Sequence, residues 1–235
     1  MKLRNRQSGG FTLTELLIVM GIIALLLSIL LPSLTKARRS AQQVGCGSNL
    51  RQLGLAFTMY ADDYHGMYPT AEDPVIPAIK KWLWMGEGFR PVLEPYAVRG
   101  ASSPGVFFCP ADLTSADIYA YTSYGYSLSF YHSPEQINSI SGYGGQVGAS
   151  GALPARPQKL TSVKYPSQKI LCGEWLSVHY PLTTDAGWFG TKGKREFLFA
   201  DGHVELVDAR QIITANDSKP NPNVTRDGIK GFDVQ

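Results

Sequence analysis

The chain has 235 residues, 44% hydrophobic and 17% charged, which suits one domain able to bury a core plus an apolar anchor. Its formal charge of +3 is supplied by Lys2, Arg4 and Arg6; beyond residue 10 the charges balance, which argues against nucleic acid as a partner. With 12 Tyr, 4 Trp, 24 Gly and 15 Pro it describes a loop-rich, aromatic-studded surface rather than a compact helical bundle.

The opening MKLRNRQSGG is short and basic, and Phe11 to Leu31 follows as a run of 21 residues with one charged side chain, Glu15. About 20 helical residues cross a hydrocarbon core of roughly 30 Å. Between Leu16 and Leu31 only Ser28 is polar, so the helix lacks the polar face of a soluble one. The run ends in Leu30-Leu31-Pro32-Ser33-Leu34, with no small-x-small cleavage site and no nearby Cys for lipidation, and is therefore expected to be retained. Basic residues flank it on both sides (Lys2, Arg4 and Arg6 before; Lys36, Arg38 and Arg39 after), so the positive-inside rule does not orient it. An acid such as Glu15 in an apolar helix costs a few kcal/mol unless it stays hydrated or meets a positive charge.

Leu50, Leu53, Phe57, Tyr60 and Tyr64 recur at intervals of three or four, an amphipathic stripe opposite Arg51, Gln52, Asp62 and Asp63. The helix is predicted to run from Phe11 to about Tyr64. Gly21 and Gly45-Cys46-Gly47 are expected to weaken it locally, and His65-Gly66 to end it.

Farther on, Val106-Phe107-Phe108, Tyr124 to Phe130 and Lys169 to Glu174 read as strands. Phe197 to Ala200 and His203 to Val207 flank Asp201-Gly202, predicted as a two-residue hairpin turn. Residues 141 to 157 are rich in Gly, Ala and Pro and are expected to form a mobile loop. The predicted fold class is α+β, a long N-terminal helix packed against a C-terminal antiparallel β-sheet head. The organisation is a leader (1–10), a transmembrane and assembly helix (11–31), its amphipathic continuation (32–65) and a globular head (66–235).

Gly10-Phe11-Thr12-Leu13-Thr14-Glu15 ahead of an unbroken apolar helix resembles the processing site of type IV pilins and of the pseudopilins of type II secretion. The resemblance implies cleavage by a prepilin peptidase/methyltransferase between Gly10 and Phe11, N-methylation of Phe11, and pairing of Glu15 with the new α-amine on a neighbour. It also implies a helix kinked or opened at Pro32 that nevertheless continues. The phrase from Cys46 through Asn49-Leu50-Arg51-Gln52 to Tyr68-Pro69, with Cys109-Pro110 and Asp201-Gly202-His203, resembles a large pilin-like group. That group carries a histidine ten residues before the Asp-Gly; Thr191 stands there in this chain, which favours the plain hairpin reading of Asp201-Gly202. The two motifs suggest a Cys46–Cys109 disulfide, with Cys172 a buried thiol; Cys109–Cys172 is the competing pair.

Major pseudopilins bind calcium near their C-terminus, which makes Asp217, Asp227 and Asp233 weak candidates; their spacing matches no fixed loop, and a plain frayed tail is preferred, with no cofactor. Asp201, His203 and Glu205 share one strand end, more readily a solvated end than a metal site. His65, His132 and His179 read as surface residues, and no catalytic motif appears. The expectation is a structural fibre subunit, not an enzyme. It sits in the bacterial inner membrane as a single-pass protein, head periplasmic or extracellular, with other pilin-like subunits as partners. The rival is a membrane-anchored envelope protein whose head binds a ligand such as a polysaccharide.

Overall fold

A computed structural model describes residues 12–70, 75–76, 81–82, 86–97, 105–113, 122–140, 155–180, 182, 184 and 187–235. The leader with Gly10 and Phe11, and the Gly-rich run 141–154, lie outside them. Helix α1 spans Leu13–Asp63, 51 residues, and is helical through Gly21, Pro32 and Gly45-Cys46-Gly47. Its end is built by two left-handed residues: His65 (φ 54°) and Gly66 (φ 77°) reverse the chain so that the Gly66 N–H reaches the Ala61 carbonyl at 2.7 Å. The chain divides into two units, Met1–Ala41 and Gln42–Gln235.

In the first unit every described side chain is exposed. The hydroxyls of Ser28, Ser33 and Thr35 donate back to the carbonyls of Leu25, Leu30 and Leu31 at 2.7, 2.8 and 2.9 Å, so these three polar groups are satisfied within the helix.

The second unit is a head around a four-stranded antiparallel sheet. Its strands are β3 (Tyr124–Tyr126), β4 (Ile170–Glu174), β5 (Lys194–Phe199) and β6 (Val204–Asp208), hydrogen-bonded in that order. A two-stranded ribbon, β1 (Val75–Ile76) with β2 (Lys81–Trp82), and helices α2 (Gly86–Leu93) and α3 (Pro134–Asn138) complete the regular structure. Against one face of the sheet the later turns of α1 lay Cys46, Leu50, Leu53, Ala56, Phe57 and Tyr60, in one core with Tyr124, Tyr126, Cys172 and Leu198. Tyr64, at the end of the predicted stripe, is 51% exposed and stacks on Tyr60 instead. The glycines of α1 admit this close approach: a methyl at Gly54 would lie 3.1 Å from Leu198 Cδ1, and one at Gly47 3.2 Å from Glu196 Oε2.

The other face carries a second core of Ile170, Trp175, Trp188, Phe197, Phe199, Val207, Ile212 and Val234. Alternation along β5 sends Phe197 and Phe199 there and Leu198 toward α1. In β4 the register slips between Ile170 and Cys172, and the bulge delivers both Leu171 and Cys172 to the α1 face.

Four expectations are corrected. Val106-Phe107-Phe108 is not a strand: Gly105 (φ 72°) turns the chain and Gly105–Phe107 winds as a 3₁₀ turn. The run from Tyr124 is a strand only to Tyr126, then a 3₁₀ turn over Leu128–Phe130 capped by the Ser127 side chain. The hairpin loop has three residues, Ala200-Asp201-Gly202: Phe199 N–H reaches the His203 carbonyl, and Gly202 (φ 90°) absorbs the left-handed step. The C-terminal tail is not frayed; Asn221, Asn223, Thr225 and Asp233 are buried in the head.

Candidate functional site

At the start of α1, Thr12 and Glu15 form a reciprocal cap. Glu15 N–H donates to Thr12 Oγ1 at 3.3 Å, while Glu15 Oε2 accepts from the Thr12 N–H at 2.9 Å and its hydroxyl at 2.8 Å. The Thr-x-x-Glu spacing signals this box in the sequence, although the expectations for Glu15 are hydration or a positive charge on another subunit, not a partner within its own first turn. From Leu13 to Leu34 the large apolar side chains are 44% (Val19) to 80% (Leu13) exposed, and α1 is long and apolar enough to cross a membrane. So wide an uncovered apolar surface marks a place where lipid or other helices belong.

Within the head, Cys46 of α1 and Cys109 are joined by a disulfide, and Cys172 is a free buried thiol whose ionisation burial pushes up. Asn49 Nδ2 donates to the Phe108 carbonyl at 2.7 Å and Gln42 Nε2 to the Pro110 carbonyl at 3.0 Å, so both flanks of Cys109 are tied to the helix. Beside the disulfide stand two side chains that sequence reading did not connect. His179 Nε2 lies 2.9 Å from Glu174 Oε1 and 3.5 Å from Cys109 Sγ, and Glu174 Oε2 accepts the Glu196 N–H at 2.9 Å. Burial pushes the Glu174 carboxyl above its usual range, against the bond and charge of His179. An acid closing an apolar strand was the available signal for Glu174.

His179 and His132 are thus not surface residues; His132 is buried beside Tyr131, since the 3₁₀ turn over Leu128–Phe130 folds it inward. His203 is partly exposed, its Nδ1 2.6 Å from Asp201 Oδ1 and its Nε2 3.9 Å from Glu205 Oε2.

The three calcium candidates are not brought together. Asp217 accepts from Lys219 N–H and Asn221 Nδ2, and Asp227 from Asn138 Nδ2. Asp233 is fully buried: its Oδ1 meets Lys169 Nζ at 3.0 Å and the Thr225 hydroxyl, and its Oδ2 takes the Ile170 N–H at 2.7 Å. Burial drives Asp233 toward its neutral form and lowers Lys169, while their mutual attraction opposes both shifts. Trp175 and Trp188 stack in the second core rather than on the surface.

The family model described as the prokaryotic N-terminal methylation motif matches residues 5–31. Competence protein ComGC of Halalkalibacterium halodurans is 38% identical over 73 residues, 31% of this chain and 71% of that protein. The chain belongs to the type IV pilin-like family. This pilin-like chain is also 40% identical over 60 residues to the ComG operon protein 3 homolog of Bacillus licheniformis, and 32% over 79 residues to the type II secretion system core protein G of Aeromonas hydrophila. It spans 62% of the former and 54% of the latter. No solved structure matches it significantly.

Proposed function

We propose that this pilin-like chain is a subunit of a type IV pilus-like or type II secretion pseudopilus-like fibre. It inserts in the inner membrane with its N-terminus cytoplasmic and its head periplasmic or extracellular. A prepilin peptidase/methyltransferase cuts between Gly10 and Phe11 and methylates Phe11. Subunits then pack through α1, and Glu15 holds the α-amine of a neighbour. The observation that carries this reading is the uncovered apolar stretch of Leu13–Leu34 with a lone acid at its start. Buried among apolar helices, such a charge pair sets register because leaving either member alone is costly. The head disulfide suits an exported compartment. The chain supplies scaffold, not catalysis.

Mass spectrometry of the protein from its native cell tests the processing: mature chains begin at N-methylated Phe11. Glu15→Ala tests assembly, with fibre incorporation collapsing while membrane insertion persists. Chains that keep their first ten residues, or a Glu15→Ala variant that assembles normally, overturn the reading.

A further inference from the structure

Two sulfurs, an imidazole and a carboxylate meet inside the head: the ligand atoms of Cys46, Cys109, Glu174 and His179 all lie within 4.8 Å of one another. Fibre assembly uses none of this chemistry. We propose that, when the Cys46–Cys109 bond is reduced, these four side chains form a tetrahedral site for a thiophilic divalent cation, zinc above all.

The donor set is of the right kind, since zinc takes thiolate, imidazole and carboxylate in four-coordinate sites. Bonds of about 2.3 Å to sulfur and about 2.0–2.2 Å to nitrogen and oxygen give a tetrahedron with edges of roughly 3.3–3.8 Å. Two edges stand near those lengths already, at 3.5 Å from His179 Nε2 to Cys109 Sγ and 2.9 Å from His179 Nε2 to Glu174 Oε1. The sulfur–sulfur edge has to open, and the other edges, all within 4.8 Å, have to adjust by small side-chain movements.

The surroundings are those of a closed structural site. Cys46, Cys109 and Glu174 are 0%, 2% and 1% exposed and the His179 side chain 3%, so four protein ligands fill the sphere with no position for bulk water. An outer layer fixes them: the Glu196 N–H holds Glu174 Oε2, Gln43 Nε2 holds Glu196 Oε1 at 2.9 Å, and Asn49 and Gln42 hold the chain around Cys109. A hydrogen-bonded pair that merely buttresses the disulfide needs no such convergence of four donors.

The chemistry balances. A dithiol gives two electrons and two protons to the Cys46–Cys109 bond, leaving two thiols in the protein and a disulfide in the reductant. The cation then displaces both thiol protons to solvent, and the proton held between His179 Nε2 and Glu174 Oε1 passes to Nδ1 of the ring. Each sulfur, His179 Nε2 (its proton on Nδ1) and Glu174 Oε1 donates a lone pair. Disulfide and metal are alternative occupants of one place, so oxidation expels the cation.

Cobalt titration of the detergent-solubilised full chain tests this, after reduction with a dithiol and its removal without oxygen. The reduced chain is expected to bind one Co²⁺ with a thiolate-to-cobalt charge-transfer band and tetrahedral d–d absorption, both abolished by added zinc; the oxidised chain shows neither. His179→Ala and Glu174→Gln each weaken binding by more than the roughly 10–100-fold that loss of an outer-layer partner brings. His203→Ala leaves it unchanged, and circular dichroism of the oxidised variants verifies their fold. A reduced chain without the tetrahedral signal, binding indifferent to both ligand variants, or a disulfide that the dithiol does not open in the folded head overturns the proposal.

Discussion

Gly173 of β4 lies flat against the ring of Phe197 on β5, its register partner. A methyl there would sit 2.9 Å from the Glu196 carbonyl and closer still to the ring, and Gly125 faces Gly173 from β3. The bare backbone lets Phe197 close the second core while the next residue, Glu174, keeps its place beside His179. Gly173→Ala is therefore expected to destabilise the head by about 1–3 kcal/mol through overpacking and strand shift. Denaturant unfolding followed by tryptophan fluorescence reports it directly, because Trp175 and Trp188 lie in that core.

Lys169 and Asp233 join the start of β4 to the tail as a fully buried pair. Removing one member strands the other, so Lys169→Met is expected to cost about 3–5 kcal/mol. The double variant Lys169→Met/Asp233→Leu regains part of this loss but not all, since the Ile170 N–H and the Thr225 hydroxyl lose their acceptor. A double-mutant cycle by chemical unfolding checks both statements.

Burial of the His132 ring holds its imidazole down at about 4 against an ordinary 6.5, with Gln136 pulling weakly the other way. Between those values the unfolded chain binds more protons than the folded one, so stability rises with pH across the window. The contribution is complete above 6.5 and is lost as the pH falls toward 4, a drop of about 3 kcal/mol. His132→Phe, which carries no proton, is expected to flatten that part of the profile. Unfolding midpoints measured from neutral to about pH 4 for the two proteins decide it.

What was legible followed local periodicity. The apolar run, the stripe from Leu50 to Tyr60 and the buried strand ending at Glu174 depend on neighbours a few residues apart, and each lies where its pattern put it; the hairpin around Asp201-Gly202 is also there, but its loop takes in Ala200 as a third residue. Val106-Phe107-Phe108 failed because three apolar residues suit a 3₁₀ turn as well as a strand, and the choice fell to Gly105. Lys169 and Asp233 are 64 positions apart, and nothing in either neighbourhood names the other. His179 is only 5 from Glu174, yet the meeting depends on how the loop after β4 folds back toward Cys109, which periodicity does not encode. A tail of Asn, Asp, Gly and Pro with no fixed ligand spacing suggests fraying; its polar residues are instead buried because they satisfy one another.

The cap at the start of α1 bears on assembly. Both Thr12 bonds fall on Glu15 Oε2, and Oε1 has no partner among the described residues. One oxygen can thus secure the first turn while the other receives a neighbour's amine, so the two roles do not compete. Thr12→Val, which keeps the bulk and the N–H but removes the hydroxyl, is expected to cost about 0.5–2 kcal/mol of local helix stability. It should speed amide exchange over residues 13–16 and lower fibre incorporation only modestly. Glu15→Ala loses the cap and the intersubunit charge together, and its incorporation should fall far more than the cap alone explains. Exchange rates and fibre yields compared across the two variants separate the contributions; equal losses of incorporation would mean that Glu15 acts through the cap and not through a neighbour.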